Sequence, residues 1–132
     1  MKRLITALLI LVCGLAQAQV AQMKPFQPTG NTITFTANIS GNIPSPVQAK
    51  TSAGFDTQYL ITNVGANVAF ISYAGSSADA TSNCVVPTGT ATTVVPVLNL
   101  SQEIITTFAN SWFCGITSAS TSIIYITPGV GQ

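Results

Sequence analysis

Apolar and polar positions alternate with a period of two over most of this chain. Residues 102–127, QEIITTFANSWFCGITSASTSIIYIT, hold three such runs in succession. In the first, Ile104, Thr106 and Phe108 fall on one face, with Glu103, Ile105 and Thr107 on the other. Trp112, Cys114 and Ile116 share a face of the second, and Ile124 and Ile126 oppose Ile123, Tyr125 and Thr127 in the third. Side chains of successive strand residues point to opposite faces, so β-branched and aromatic residues in this pattern predict short, partly buried strands. Asn110-Ser111 and Ser118-Ala119-Ser120 supply the turns between them.

The same pattern recurs upstream. In residues 32–38, TITFTAN, Ile33, Phe35 and Ala37 lie on one face and threonines on the other. After a proline-rich break at 41–46, residues 47–50 predict a short edge strand. Residues 57–64 and 68–73 read as a hairpin closed by Gly65-Ala66-Asn67. Apolar residues on both of its faces predict that one packs the core and the other meets something else. The run 74–83, AGSSADATSN, reads as a mobile polar loop. Residues 84–86 and 92–98 are further strand candidates, the second placed at an edge or bulge by Pro96. The tail PGVGQ reads as a stop. Together these predict an all-β fold of about eight short strands, an antiparallel β-sandwich or jelly-roll-like domain over residues 32–132.

The N-terminus has a different character. Residues 1–18, MKRLITALLILVCGLAQA, place Lys2 and Arg3 before an apolar run that closes on Ala16-Gln17-Ala18. This is the pattern of a signal-peptide-like leader, and its apolar run is too short to span a bilayer. Residues 19–31 contain Pro25 and Pro28 without periodicity and read as an extended arm.

Charge is scarce. Only 5% of residues are charged and histidine is absent, while 47% are hydrophobic. Soluble domains carry about 25% charged residues. The apolar content is ample for a core, which excludes a disordered chain. Too few Lys and Arg remain to neutralise phosphates, which excludes nucleic-acid binding. Net charge near zero favours association and leaves strand edges unguarded, so the composition points to a protein partner, self or a larger assembly.

Catalytic and cofactor chemistry have little to work with. A nucleophilic Ser or Cys lacks a histidine base, leaving Asp56, Asp79 and Glu103 as the only carboxylates. No metal, cofactor or catalytic residue is expected. Cys84 and Cys114 are the cysteines that follow the leader, and in an oxidising compartment a bridge between them stabilises by about 3–4 kcal/mol. The alternative is a pair of buried thiols. Among the rings Tyr59, Phe70, Tyr73, Trp112, Phe113 and Tyr125, core packing accounts for most; Tyr73 and Trp112 are the candidates for a ligand-, glycan- or partner-facing pair.

From Thr57 onward the order of elements resembles small tailed-phage virion proteins of the decoration or accessory head type. The resemblance rests on Tyr59-Leu60-Ile61-Thr62-Asn63-Val64-Gly65, on Val94-Val95-Pro96-Val97-Leu98, on Ile124-Tyr125-Ile126-Thr127-Pro128-Gly129, and on the opening Met23-Lys24-Pro25-Phe26. It implies a non-enzymatic β-sandwich that binds a protein shell and forms trimers or larger clusters. The leader departs from that family, whose members assemble in the cytoplasm. A used leader implies export to the periplasm or medium and an adhesin-like or glycan-binding module; a start at Met23 implies the virion.

Overall fold

The computed structural model describes residues 24–51, 58–89 and 93–131. The leader-like segment 1–18, the start of the arm and Asp56 lie outside the described residues. Over the described residues the fold is all-β with one short helix. Its strands are β1 (Gln27–Pro28), β2 (Ile33–Ile39), β3 (Val47–Gln48), β4 (Gln58–Asn63), β5 (Ala69–Ala74), β6 (Val94–Val97), β7 (Ser101–Thr106), β8 (Trp112–Thr117) and β9 (Ser122–Val130), with α1 (Ser77–Ser82) between β5 and β6.

These strands form one nine-stranded sheet that rolls until it nearly closes, in the order β6-β5-β8-β2-β9-β4-β7, with β1 added to β9 and β3 to β8. Strand β2 turns the corner. Ile33 to Ala37 pair antiparallel with β9, after which Asn38 and Ile39 pair parallel with β8. The alternation read from the sequence sets what fills the roll. Tyr59 and Ile61 of β4, Ala69 and Ile71 of β5, Phe113 of β8, and Ile124 and Ile126 of β9 are fully buried in a single core. The Tyr59 and Phe113 rings meet edge-on across it at 5.0 Å, an arrangement that adds about 0.5–1.5 kcal/mol beyond area burial.

The expected hairpin at 57–73 is not formed. β4 pairs with β7 and β9, whereas β5 pairs with β6 and β8, so the two strands lie on opposite walls of the roll. The linker is an arch held by side chains. Asn63 donates from Nδ2 to the carbonyls of Asn67 (2.7 Å) and Val97 (3.0 Å), and its Oδ1 accepts from Gly65 N–H at 2.9 Å. Ser122 Oγ donates to Asn67 O and accepts from Asn67 N–H. A Cβ on Gly65 would sit 2.6 Å from the Ser122 Cα, so only glycine lets the arch lie this close. Both strands alternate correctly; what the pattern could not show is that each buries its inner face from a different side.

Three further expectations are corrected. The run 74–83 is not a bare loop but holds α1, capped by Ser76, whose Oγ accepts from Asp79 N–H and donates to the Asp79 carboxylate at 2.7 Å. Residues 84–86 are not a strand: Cys84 and Val85 donate their N–H groups back to Thr81 and Asn83 at the helix end. The tail does not stop the sheet either, since β9 runs through Pro128 and Gly129. Proline is tolerated because β2 leaves β9 at Ile126 and β1 joins at Gly129, so Pro128 falls between those two neighbours. Residues 27–28 of the arm lie on the chain's own β9 as β1.

The outer faces of β5 and β8 are covered by α1. Ala80, Cys84, Cys114, Ile116 and Ala74 form a second buried cluster against Phe70, Val86 and Trp112. Cys84 and Cys114 are joined as a disulfide, with Cα atoms 5.8 Å apart, and Ser72 Oγ donates to Ala80 O at 2.8 Å.

Two stability effects are expected, both read by denaturant unfolding. Asn63→Ala leaves the Val97 and Asn67 carbonyls and the Gly65 N–H without this partner, and lowers stability by about 2–4 kcal/mol. Reduction of the disulfide releases a chain segment 30 residues long and lowers stability by about 3–4 kcal/mol, with no change in a Cys84→Ser/Cys114→Ser variant on adding reductant.

Candidate interaction site

Three surface features are candidates for recognition. The first is a cleft of about 460 Å³ where β5 ends and β6 begins. Tyr73, Ala74 and Phe108 give it an apolar floor, with Asp79, Asn83 and Thr93 as the polar groups and Gly75 also in its wall. The register explains this grouping. Ser72 pairs with Val94, so Tyr73 and Thr93 continue side by side past the start of β6, while Phe108 follows the end of β7. Phe108 is held by its backbone: its carbonyl accepts from Tyr59 Oη at 2.9 Å and from Ser111 Oγ at 2.6 Å. Its ring is 65% exposed.

Tyr73 and Trp112 are not brought together. Tyr73 lies opposite Phe113 and Ala74 opposite Trp112, so the two rings point to opposite faces of the sheet. Tyr73 faces the core side, half-buried, with its ring 6.5 Å from Phe113. Trp112 faces outward and is half-buried in the cluster under α1. The partner of Tyr73 in the cleft is Phe108, which the sequence pattern assigned to a strand face. The Ser76-x-x-Asp79 spacing, a helix-capping pattern, was the available signal that Asp79 belongs to an ordered element beside Tyr73.

The second cleft, about 360 Å³, lies among Asn31, Ile33, Gln48, Lys50 and Thr51. Gln48 Nε2 donates to Asn110 O and Thr51 N–H to Asn110 Oδ1, both at 3.0 Å, which ties this strand end to the turn before β8. Among the described residues Lys50 is the one charged group in its wall.

The third feature is flat. The outer face of β2, β9, β4 and β7 presents Thr34 and Thr36, then Ile123 and Tyr125, then Leu60 and Thr62, then Gln102 and Ile104, in matching register. No charged side chain lies on this face among the described residues. Glu103 takes the other face of β7, opposite Ile61, and Asp79 sits on α1. The two described carboxylates thus lie on separate elements. Among the described residues, no three His, Cys, Asp or Glu side chains gather as a metal-binding group, and no helix is long and apolar enough to cross a membrane.

Phe108, whose carbonyl accepts from the Tyr59 hydroxyl, and Phe113, edge-on to the Tyr59 ring, should behave oppositely on truncation. Phe108→Ala is expected to change unfolding free energy by no more than about 0.5 kcal/mol, because the ring is already in water. Phe113→Ala, fully buried, should cost about 3–5 kcal/mol in the same denaturation experiment.

Compared with known proteins, the chain matches no family model, no curated protein and no solved structure.

Proposed function

We propose that this chain is a non-enzymatic structural protein that works by packing on a protein shell and on copies of itself, as a virion decoration or accessory protein does. Its rolled sheet serves as a jelly-roll-like β-sandwich whose β2-β9-β4-β7 face is the docking surface. The observation that carries this reading is the lack of any charge on that face among the described residues, although Ile123 and Tyr125 stand on it 47% and 39% exposed. At a strand spacing of ~4.8 Å and ~3.4 Å per residue, four strands of six residues present roughly 400 Å² in plan. A standard interface removes about 800 Å² of accessible surface from each partner, so one copy binds weakly and many copies on a lattice bind well. The sheet edges are poorer routes, because β6 carries Pro96 and β7 carries Glu103, both devices that discourage strand addition. A chain without histidine, whose described carboxylates Asp79 and Glu103 sit on separate elements, supports the non-enzymatic reading.

A second reading, an exported glycan-binding module, is favoured by one observation: Tyr73 and Phe108 stand beside Asp79 and Asn83 in one cleft, a ring-plus-amide combination suited to a sugar. Location follows the same division, the virion for the first reading and the periplasm or medium for the second.

Mass spectrometry of purified particles from a producing culture should find the chain at stoichiometric copy number. A Thr62→Lys/Tyr125→Glu variant, which places charge on the flat face, should leave folding intact and reduce the bound copies at least tenfold. Its absence from particles, together with glycan-array binding that is lost in Tyr73→Ala and unaffected in Trp112→Ala, would favour the second reading instead.

A further inference from the structure

The turn between β6 and β7 is unusual in what it exposes. Leu98 is 57% and Leu100 77% exposed, the latter the most exposed large apolar side chain among the described residues. Leu100 also has a φ of +53°, in the left-handed region that glycine or asparagine occupies at lower cost. Asn99, the preceding residue, would be the better occupant of that conformation. The turn is nonetheless held firmly: Ser101 Oγ donates to Leu98 O at 2.8 Å, and Asn63 Nδ2 to the Val97 carbonyl at 3.0 Å. A rigid base thus presents two leucines to solvent, one of them in a strained backbone. Strain of this kind combined with exposed apolar surface marks a contact rather than a packing solution.

The same two strands lead from this turn to the cleft. β6 begins beside Thr93 in the cleft wall and ends at Leu98; β7 begins after Leu100 and leads to Phe108 on the cleft's other side. Prong and cleft therefore stand at opposite ends of the two edge strands β6 and β7, about 20 Å apart. The cleft is mainly apolar, through Tyr73, Ala74 and Phe108, and its volume of about 460 Å³ takes two leucine side chains. Its polar groups, Asn83 and Thr93, are of the kind that an amide such as Asn99 bonds. The prong carries no charge, and Asp79 is the one charged group among the described residues lining the cleft, so no like charges meet.

We infer that copies of this chain join head to tail, the Leu98-Asn99-Leu100 turn of one seated in the Tyr73–Phe108 cleft of the next. This rests on the reading that the protein acts by association, and it names the contact between copies. A contact between two different surfaces is heterologous, so it closes into a ring or continues as a filament. It uses the strand ends and leaves the flat β2-β9-β4-β7 face free for the shell.

The test uses the full chain in sedimentation velocity over a range of concentrations. The unaltered protein should form a concentration-dependent series or a ring. Leu98→Ser/Leu100→Gly removes the prong and should weaken assembly by about 10- to 100-fold per leucine, with the melting temperature unchanged or raised, because glycine relieves the left-handed position. Gly75→Phe plugs the cleft; a Cβ there meets nothing within 4 Å, so the fold tolerates it. Each variant alone should be monomeric. Mixed in equal amounts they should give a dimer and nothing larger, since one intact prong and one intact cleft remain. A monomeric unaltered chain, assembly that persists in either folded variant, or a mixture that stays monomeric overturns the inference. If particles still carry the Leu98→Ser/Leu100→Gly chain at full copy number, binding to the shell stands without this contact; if neither assembly nor particle binding is seen, the association reading falls as well.

Discussion

β4 carries a buried polar side chain at each end, and these two groups hold the rest of the molecule in place. Tyr59, fully buried, accepts at its hydroxyl from Ser111 N–H at 3.2 Å and donates to Phe108 O. Asn63, equally buried, bonds Gly65, Asn67 and Val97. A buried polar group without partners costs more than a typical hydrogen bond contributes, so each fixes the loop it satisfies. Asn63 sets the base of the Leu98–Leu100 turn, and Tyr59 sets the backbone that carries the exposed Phe108. The two ends of one strand thereby position the Leu98–Leu100 turn and Phe108, whose side chains include the two most exposed large apolar groups among the described residues.

The walls of the roll are treated differently. On the β5–β8 side, Phe70, Cys114, Ile116 and Trp112 face outward and are covered by α1, with the disulfide fastening the cover. On the β2-β9-β4-β7 side, threonines, Ile123 and Tyr125 face outward with none of the described residues over them. Apolar side chains on both faces of a strand demand a second contact. For β5 and β8 the chain supplies it from residues 77–86. For β9 none of the described residues does so, and Ile123 and Tyr125 stay 47% and 39% exposed.

Scarce charge is placed with some economy. Among the described residues, Glu103 occupies the free edge strand β7 and Pro96 the free edge strand β6. Both edges of the rolled sheet thus carry a residue that resists addition of another strand. Edge pairing, which is unspecific in register, is thereby discouraged.

The strands and their inner faces were legible in the sequence, because a period-two pattern expresses one local rule, that side chains alternate across a pleated backbone. Ile33-Phe35-Ala37, Tyr59-Ile61 and Ile124-Ile126 each share one face as the alternation grouped them, and the structure shows that face packed on the core. Partner choice was not legible. Gly65-Ala66-Asn67 has the composition of a hairpin turn, yet Asn63 and Ser122 make it an arch between opposite walls. The residues that decide this lie about 55 positions apart in the chain. The meeting of Tyr73 with Phe108, the separation of Tyr73 from Trp112, and the placement of cleft and leucine turn at opposite ends of β6 and β7 likewise follow from long-range pairing. Local chemistry determined which residues form strands and which side of each is apolar. Tertiary structure alone decided which strands meet, because hydrogen bonding between backbones does not depend on which side chains they carry.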